Sequence, residues 1–174
     1  MRGRVLGLAA AALLLAGVQV GHAQLSDTDE DGNWTEQQLK LPPYPKPADL
    51  VQFPVGATGG NRFFVDSTSV NIGADGVVRY TLVIRSPSGA ENVSFEGMRC
   101  STGERRVYAF GHRDGTWADA RASTWTKLRA TDLNNHYSVL YREHFCPDKR
   151  IVKTVAIAVQ SLRFPPQSQH TAGE

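Results

Sequence analysis

The chain has 174 residues, 41% of them hydrophobic, with 19 Lys+Arg against 17 Asp+Glu for a net charge of +2. That length supports one domain with an apolar core. The near balance of charge excludes the marked basic excess of a nucleic-acid or anionic-membrane binder.

The chain opens with Met1-Arg2-Gly3-Arg4, short and basic. An uncharged Ala/Leu-rich run covers residues 5–18, and Gly21-His22-Ala23 follows as a small-any-small tripeptide. This order is that of a secretory signal peptide over residues 1–23. The run falls short of the roughly 20 apolar residues that cross a bilayer. No Cys follows it to accept a lipid, so no integral membrane anchor is expected after cleavage. Cleavage removes Arg2 and Arg4 but no acid, which leaves 17 basic and 17 acidic residues. The expected location is the periplasm.

Residues 24–49 differ from the rest. Asp27, Asp29, Glu30 and Asp31 make an acidic run, then Pro42, Pro43, Pro45 and Pro47 crowd together. Prolines at this density favour extended backbone. The expectation is an acidic start and an extended strap, with Trp34, Leu39, Leu41 and Tyr44 packing it on the domain. Residues 50–165 read as one domain and residues 166–174 as a disordered tail.

Arg62-Phe63-Phe64-Val65 and Ser69-Val70-Asn71-Ile72 are strand candidates. Asp75-Gly76 marks a hairpin turn. Residues 77–85 alternate most clearly: Val78, Tyr80, Leu82 and Ile84 point one way, Arg79, Thr81 and Arg85 the other. Such alternation predicts one buried and one wet face. Residues 92–100 and 105–110 complete an antiparallel meander of about five strands. Helical spacing follows. Thr131 or Asp132 is a good N-cap, and Leu133, Tyr137, Leu140, Tyr141, His144 and Phe145 recur on one face until Pro147. A second helix is expected from near Asp148, with Ile151, Val155, Val159 and Leu162 as its stripe. The fold class is α+β, with two C-terminal helices on one face of the sheet.

In an exported chain, Cys100 and Cys146 read as a disulfide, not a redox pair, because no Cys-x-x-Cys occurs. The bond would staple helix to sheet across a loop of about 47 residues, contributing about 4 kcal/mol.

Several stretches resemble the CNP-like family of exported bacterial proteins, named after a cryptic neisserial protein. They are Pro43-Tyr44-Pro45-Lys46-Pro47-Ala48-Asp49-Leu50, Asn61-Arg62-Phe63-Phe64-Val65-Asp66, and Asp75-Gly76 through Val83. Asn92-Val93-Ser94-Phe95-Glu96-Gly97, Arg99-Cys100, Tyr108-Ala109-Phe110-Gly111, Trp117, Trp125 and Phe145-Cys146-Pro147 continue the likeness. The resemblance implies a bacterial envelope location and a single domain. It implies no activity and brings no catalytic residues.

The residues themselves offer little chemistry. His136 and His144 stand about two helical turns apart, too far for one metal, and no His-Glu-x-x-His occurs. No cofactor is expected. There is no Gly-x-Ser-x-Gly, and Gly59-Gly60 lacks the Lys-Ser/Thr of a phosphate loop. Asn33-Trp34-Thr35 and Asn92-Val93-Ser94 match a glycosylation pattern, an accidental match in an exported bacterial protein. His112-Arg113-Asp114 reads as a surface turn. Trp117 and Trp125 read as core anchors at the sheet edge, with sugar stacking as the alternative. Asp66 and Glu96 read as carboxylates on a wet face, salt-bridged by Arg79, Arg85 and Arg99. A sharper reading is a polar groove of Arg79, Glu96, Arg99 and Arg105 that binds an anionic envelope ligand. Two functions follow: a noncatalytic module binding an envelope protein or cell-wall component, or a small periplasmic hydrolase using Glu96, Arg99, Tyr108 and His112.

Overall fold

A computed structural model describes residues 34–56, 59–129 and 136–165. The expected signal peptide, acidic N-terminus, helix cap and C-terminal tail lie outside them. Seven antiparallel strands form one sheet: β1 (Leu50–Phe53), β2 (Arg62–Ile72), β3 (Val77–Arg85), β4 (Glu91–Arg99), β5 (Glu104–Gly111), β6 (Trp117–Asp119) and β7 (Thr126–Lys127). They run in sequence order from β1 to β6, and β7 pairs with the start of β5. The α+β meander is therefore the expected one, with more strands.

The two strands expected at Arg62 and Ser69 are halves of β2, joined through an irregularity between Asp66 and Asn71. Side chains replace the missing ladder bonds there. The Asp66 carboxylate accepts from the Thr68 N–H at 2.9 Å and its hydroxyl at 2.7 Å. The Ser69 hydroxyl donates to the Asp66 carbonyl at 2.8 Å and accepts from the Thr81 N–H at 2.8 Å. Asp66 is thus a buried bulge-former, not a wet-face carboxylate.

The expected wet face of β3 is also corrected. Residues 77–83 are buried on both faces. One face packs under the helices, where Val78, Tyr80 and Leu82 join Phe53, Val65, Met98, Leu140, Phe145 and Leu162 in the main core. The other lies under residues 34–46, which cross the sheet as the expected strap. Leu39 and Leu41 pack on Phe95, Tyr108 and Ala109, while Tyr44 packs on Phe64, Val83 and Val93. The Trp117 indole donates to the Pro42 carbonyl at 3.0 Å and Trp34 to the Asp75 carbonyl at 2.8 Å. Both tryptophans expected at the edge, Trp117 and Trp125, are half-buried against this strap.

Among the described residues the first helix runs over α1 (His136–Val139) and widens into a π turn over Leu140–Phe145. A 3-10 turn over Pro147–Lys149 follows. The second helix, α2 (Val155–Arg163), begins later than expected. Pro147 stops the chain, Asp148 and Lys149 take positive φ of 53° and 62°, and Thr154 supplies the cap, its side chain accepting from the Ile157 N–H at 3.2 Å. The buried stripe of α2 runs through Ala158 and Leu162, and Ala156 faces solvent.

The disulfide joins Cys100, just past β4, to Cys146, with Cα atoms 5.3 Å apart. It ties the end of the π turn to the sheet, as expected. Replacing both cysteines by serine should lower unfolding free energy by about 4 kcal/mol in denaturant titration. A loss under about 1 kcal/mol would mean that packing alone fixes this helical segment.

Candidate functional site

Cross-strand register decides where the expected groove residues go. Tyr80 pairs with Glu96 and Met98 with Arg105, so Glu96 and Arg105 lie on the helix side. Arg79 pairs with Gly97 and Val77 with Arg99, so Arg79 and Arg99 lie on the strap side. The sheet separates the four into two pairs, and they share no groove. Nor do they form a wet salt-bridged face: Arg79, Glu96 and Arg99 are 6%, 1% and 7% exposed. Arg85 pairs at the surface with Glu91.

On the strap side the centre is Glu36. Its carboxylate meets the Arg106 guanidinium at 2.8 Å and Arg79 at 3.4 Å. It accepts from the Tyr108 hydroxyl at 2.5 Å and the Trp125 indole at 3.3 Å. Arg79 also meets Asp75 at 2.6 Å. Burial would raise the Asp75 carboxyl, but bonds from Arg79 and from the N–H groups of Gln37 and Val77 hold it below its ordinary value. Burial, then Glu36, push the Tyr108 hydroxyl far up, so it stays a neutral donor. Arg99 stacks 3.9 Å over the Trp34 ring. Gly97 makes room for this arrangement: a Cβ there would lie 2.8 Å from the Tyr108 ring.

On the helix side, the Glu96 carboxylate accepts from the Ser94 hydroxyl at 2.6 Å and from Tyr80 and Tyr137 at 3.3 Å each. Burial raises its carboxyl despite these donors and Arg105. Arg105 stacks 3.9 Å over Tyr137. His136 lies on Phe63 with ring centroids 4.8 Å apart, and burial, aided by Arg105, lowers it to about 4. His144 sits edge-on to Phe53 at 5.9 Å, and burial lowers it to about 4.

The hydrolase set does not converge either. Glu96 faces the helices, Arg99 and Tyr108 face the strap, and His112 stands exposed in the β5–β6 turn, where the Gly115 N–H bonds back to its carbonyl at 3.0 Å. Among the described residues no group of three His, Cys, Asp or Glu is placed to hold a metal.

Open concavities of about 360 Å³ lie at two places among the described residues. One lies between the strap and the β2 bulge, lined by Gln37, Gln38, Lys40, Thr68, Asn71 and neighbours. The other lies where the β4–β5 turn, β7 and the π turn meet, lined by Lys127, Arg129, Arg142 and Lys149 with Ser138 and Tyr141 among the rest. Neither lining contains an Asp, Glu, His or Cys.

The CNP1-like family matches residues 29–163. The chain belongs to that family. No curated protein and no solved structure matches it. The family match spans both the strap and the disulfide-bonded segment, so the CNP1-like unit includes residues 34–46 as part of the fold.

Sequence reasoning missed Glu36 and Asp75 as partners of the buried arginines. The available signal was two arginines, Arg79 and Arg99, at strap-facing positions of neighbouring strands, each needing a neutralising or stacking partner. It also missed the basic concavity, whose four cations come from three separate segments.

Glu36→Ala should destabilise the fold by about 3 kcal/mol, since it strips an anion from two largely buried arginines, and should shift tryptophan emission to the red as the strap loosens. An unchanged melt would show that the apolar strap contacts suffice. A second test concerns pH. His136 and His144 titrate lower folded than unfolded, so their contribution is whole above about pH 6.5 and lost as pH falls toward about 4. The raised Glu96 carboxyl acts oppositely, favouring the fold as it protonates. The histidines should dominate, each by on the order of 3 kcal/mol at the low end. Melting temperature should therefore fall between about pH 7 and pH 4, less steeply in His144→Gln. A flat profile would contradict neutral buried imidazoles.

Proposed function

We propose that this CNP1-like chain is an exported protein of the bacterial envelope and acts there as a noncatalytic binding module for an envelope protein or cell-wall component. One observation carries the binding reading. The buried acids and histidines are consumed by packing, while the two concavities described offer, among the described residues, only cations, amides, hydroxyls and apolar groups. Such linings hold a ligand; they supply no carboxylate, imidazole or thiolate to move a proton or attack a bond. The Cys100–Cys146 disulfide is compatible with an oxidising compartment. No helix among the described residues is long and apolar enough to cross a membrane. Residues 1–23 supply the export signal in this reading.

The test is expression of the full precursor in a bacterial host. Osmotic-shock fluid should yield a protein that begins near Gln24 and carries no free thiol by nonreducing mass measurement. Crosslinking in the intact envelope, followed by affinity purification, should give one discrete adduct. Protein retained in the cytosol with Met1 intact would overturn the location, and turnover of an envelope substrate would overturn the noncatalytic role.

A further inference from the structure

The basic concavity collects more charge of one sign than its surroundings explain. Lys127, Arg129, Arg142 and Lys149 all line it, and among the described residues no acid does. One partner lies at its margin: Glu104 meets Lys127 at 3.3 Å. Among the described residues Arg129, Arg142 and Lys149 have no ion pair. Removal of residues 1–23 leaves 17 basic and 17 acidic residues, so four cations round one hollow are a local feature and not an overflow of general charge.

The walls are fixed. The Tyr141 hydroxyl donates to the Cys100 carbonyl at 2.9 Å, and Cys100 is bonded to Cys146. The Leu128 N–H donates to the Gly103 carbonyl at 2.9 Å, which locks β7 on the β4–β5 turn. Lys127 Nζ donates to the Thr102 carbonyl at 3.2 Å. Lys149 is presented by the turn next to Cys146, in the left-handed region at φ 62°. Three chain segments are thus cross-tied around the hollow that these cations line, and like charges gathered in one place repel unless an anion lies among them.

We propose that this concavity binds a phosphate group carrying a small polar body, of sugar-phosphate or headgroup size. Several lining features select that class. Arg129 and Arg142 offer planar forks that fit phosphate oxygens in pairs, and the two lysines add point charges. Four cations match an anion with more than one charged oxygen better than a single carboxylate. Ser101 and Ser138 supply hydroxyl donors, while Leu128 and Tyr141 give the body of the ligand an apolar wall. The hollow of about 360 Å³ exceeds a bare phosphate and suits a small ester. The site rests on the binding reading above and names its ligand class.

Calorimetric titration of the disulfide-bonded protein with glycerol 3-phosphate, and with phosphatidylglycerol vesicles against phosphatidylcholine vesicles, tests this. Binding of the soluble ester or of the anionic vesicles is expected, and which of them binds identifies the source. The Arg129→Gln/Arg142→Gln variant should weaken it by more than about tenfold. Arg163→Gln, at the exposed end of α2, should leave it unchanged. Binding that survives the double substitution, or the absence of binding to either probe, would overturn the site. If the envelope crosslink survives that result, the binding reading stands without it. Release of inorganic phosphate during the titration would keep the site and overturn the noncatalytic reading.

Discussion

The Glu36 carboxylate is the contact on which the strap side of the molecule depends. Two arginines from different strands, Arg79 and Arg106, reach it from the sheet, and Tyr108 and Trp125 close round it. Guanidinium groups at 7% and 19% exposure need a compensating charge, because an isolated ion taken out of water costs several kcal/mol. The strap brings that charge to Arg106, and to Arg79 it adds a second acid beside Asp75 of the β2–β3 turn. The chain from Trp34 to Lys46 is therefore part of the core, and β3 can be buried on both sides. Leu39, Leu41 and Tyr44 then fill the space beside the ion pairs.

The opposite face is held differently. There the apolar core is continuous, and a disulfide rather than a charge fixes the covering segment. The π turn over Leu140–Phe145 places Tyr141 on the Cys100 carbonyl and brings Cys146 to Cys100. Its cost in regular helix geometry is met by those two ties. The basic hollow opens at the rim of this stapled region, where backbone position is set by covalent and hydrogen bonds. Buried polar groups hold the fold on both faces, and the cations that line the rim of this stapled region are drawn from three segments.

Much of this architecture was legible in the residues. The alternation of Val78, Tyr80, Leu82 and Ile84 located β3, Asp75-Gly76 located its hairpin, and the aromatic and leucine residues among the prolines announced a packed strap. The cysteine pair followed from export logic. What failed was the second face of β3. Arg79 and Arg99 looked like solvent-facing charges because the covering strap is remote in sequence: Glu36, 43 residues from Arg79, adds to the nearer Asp75, and Arg99 stacks on the ring of Trp34. Periodicity reports which residues share a face; it does not report what else in the chain covers that face. The strand Leu50–Phe53 was missed because it is short and begins beside the prolines. The start of α2 was misplaced because Asp148 and Lys149 adopt positive φ, a conformation that non-glycine residues seldom announce. The candidate groove failed for a related reason: Glu96 and Arg105 alternate with Arg79 and Arg99 across the pleat, so closeness in sequence put them on opposite sides. The hydrophilic rim of Lys127, Arg129, Arg142 and Lys149 carries no motif at all, and only the fold assembles it.

A double-mutant cycle between Glu36 and Arg106 tests the role of the strap charge most directly. Unfolding free energies of Glu36→Gln, Arg106→Gln and the double variant give the coupling between the two groups. A coupling above about 1 kcal/mol is predicted, as for charges that share a desolvated contact. A coupling within about 0.3 kcal/mol of zero would contradict the account and leave the strap held by its apolar residues alone.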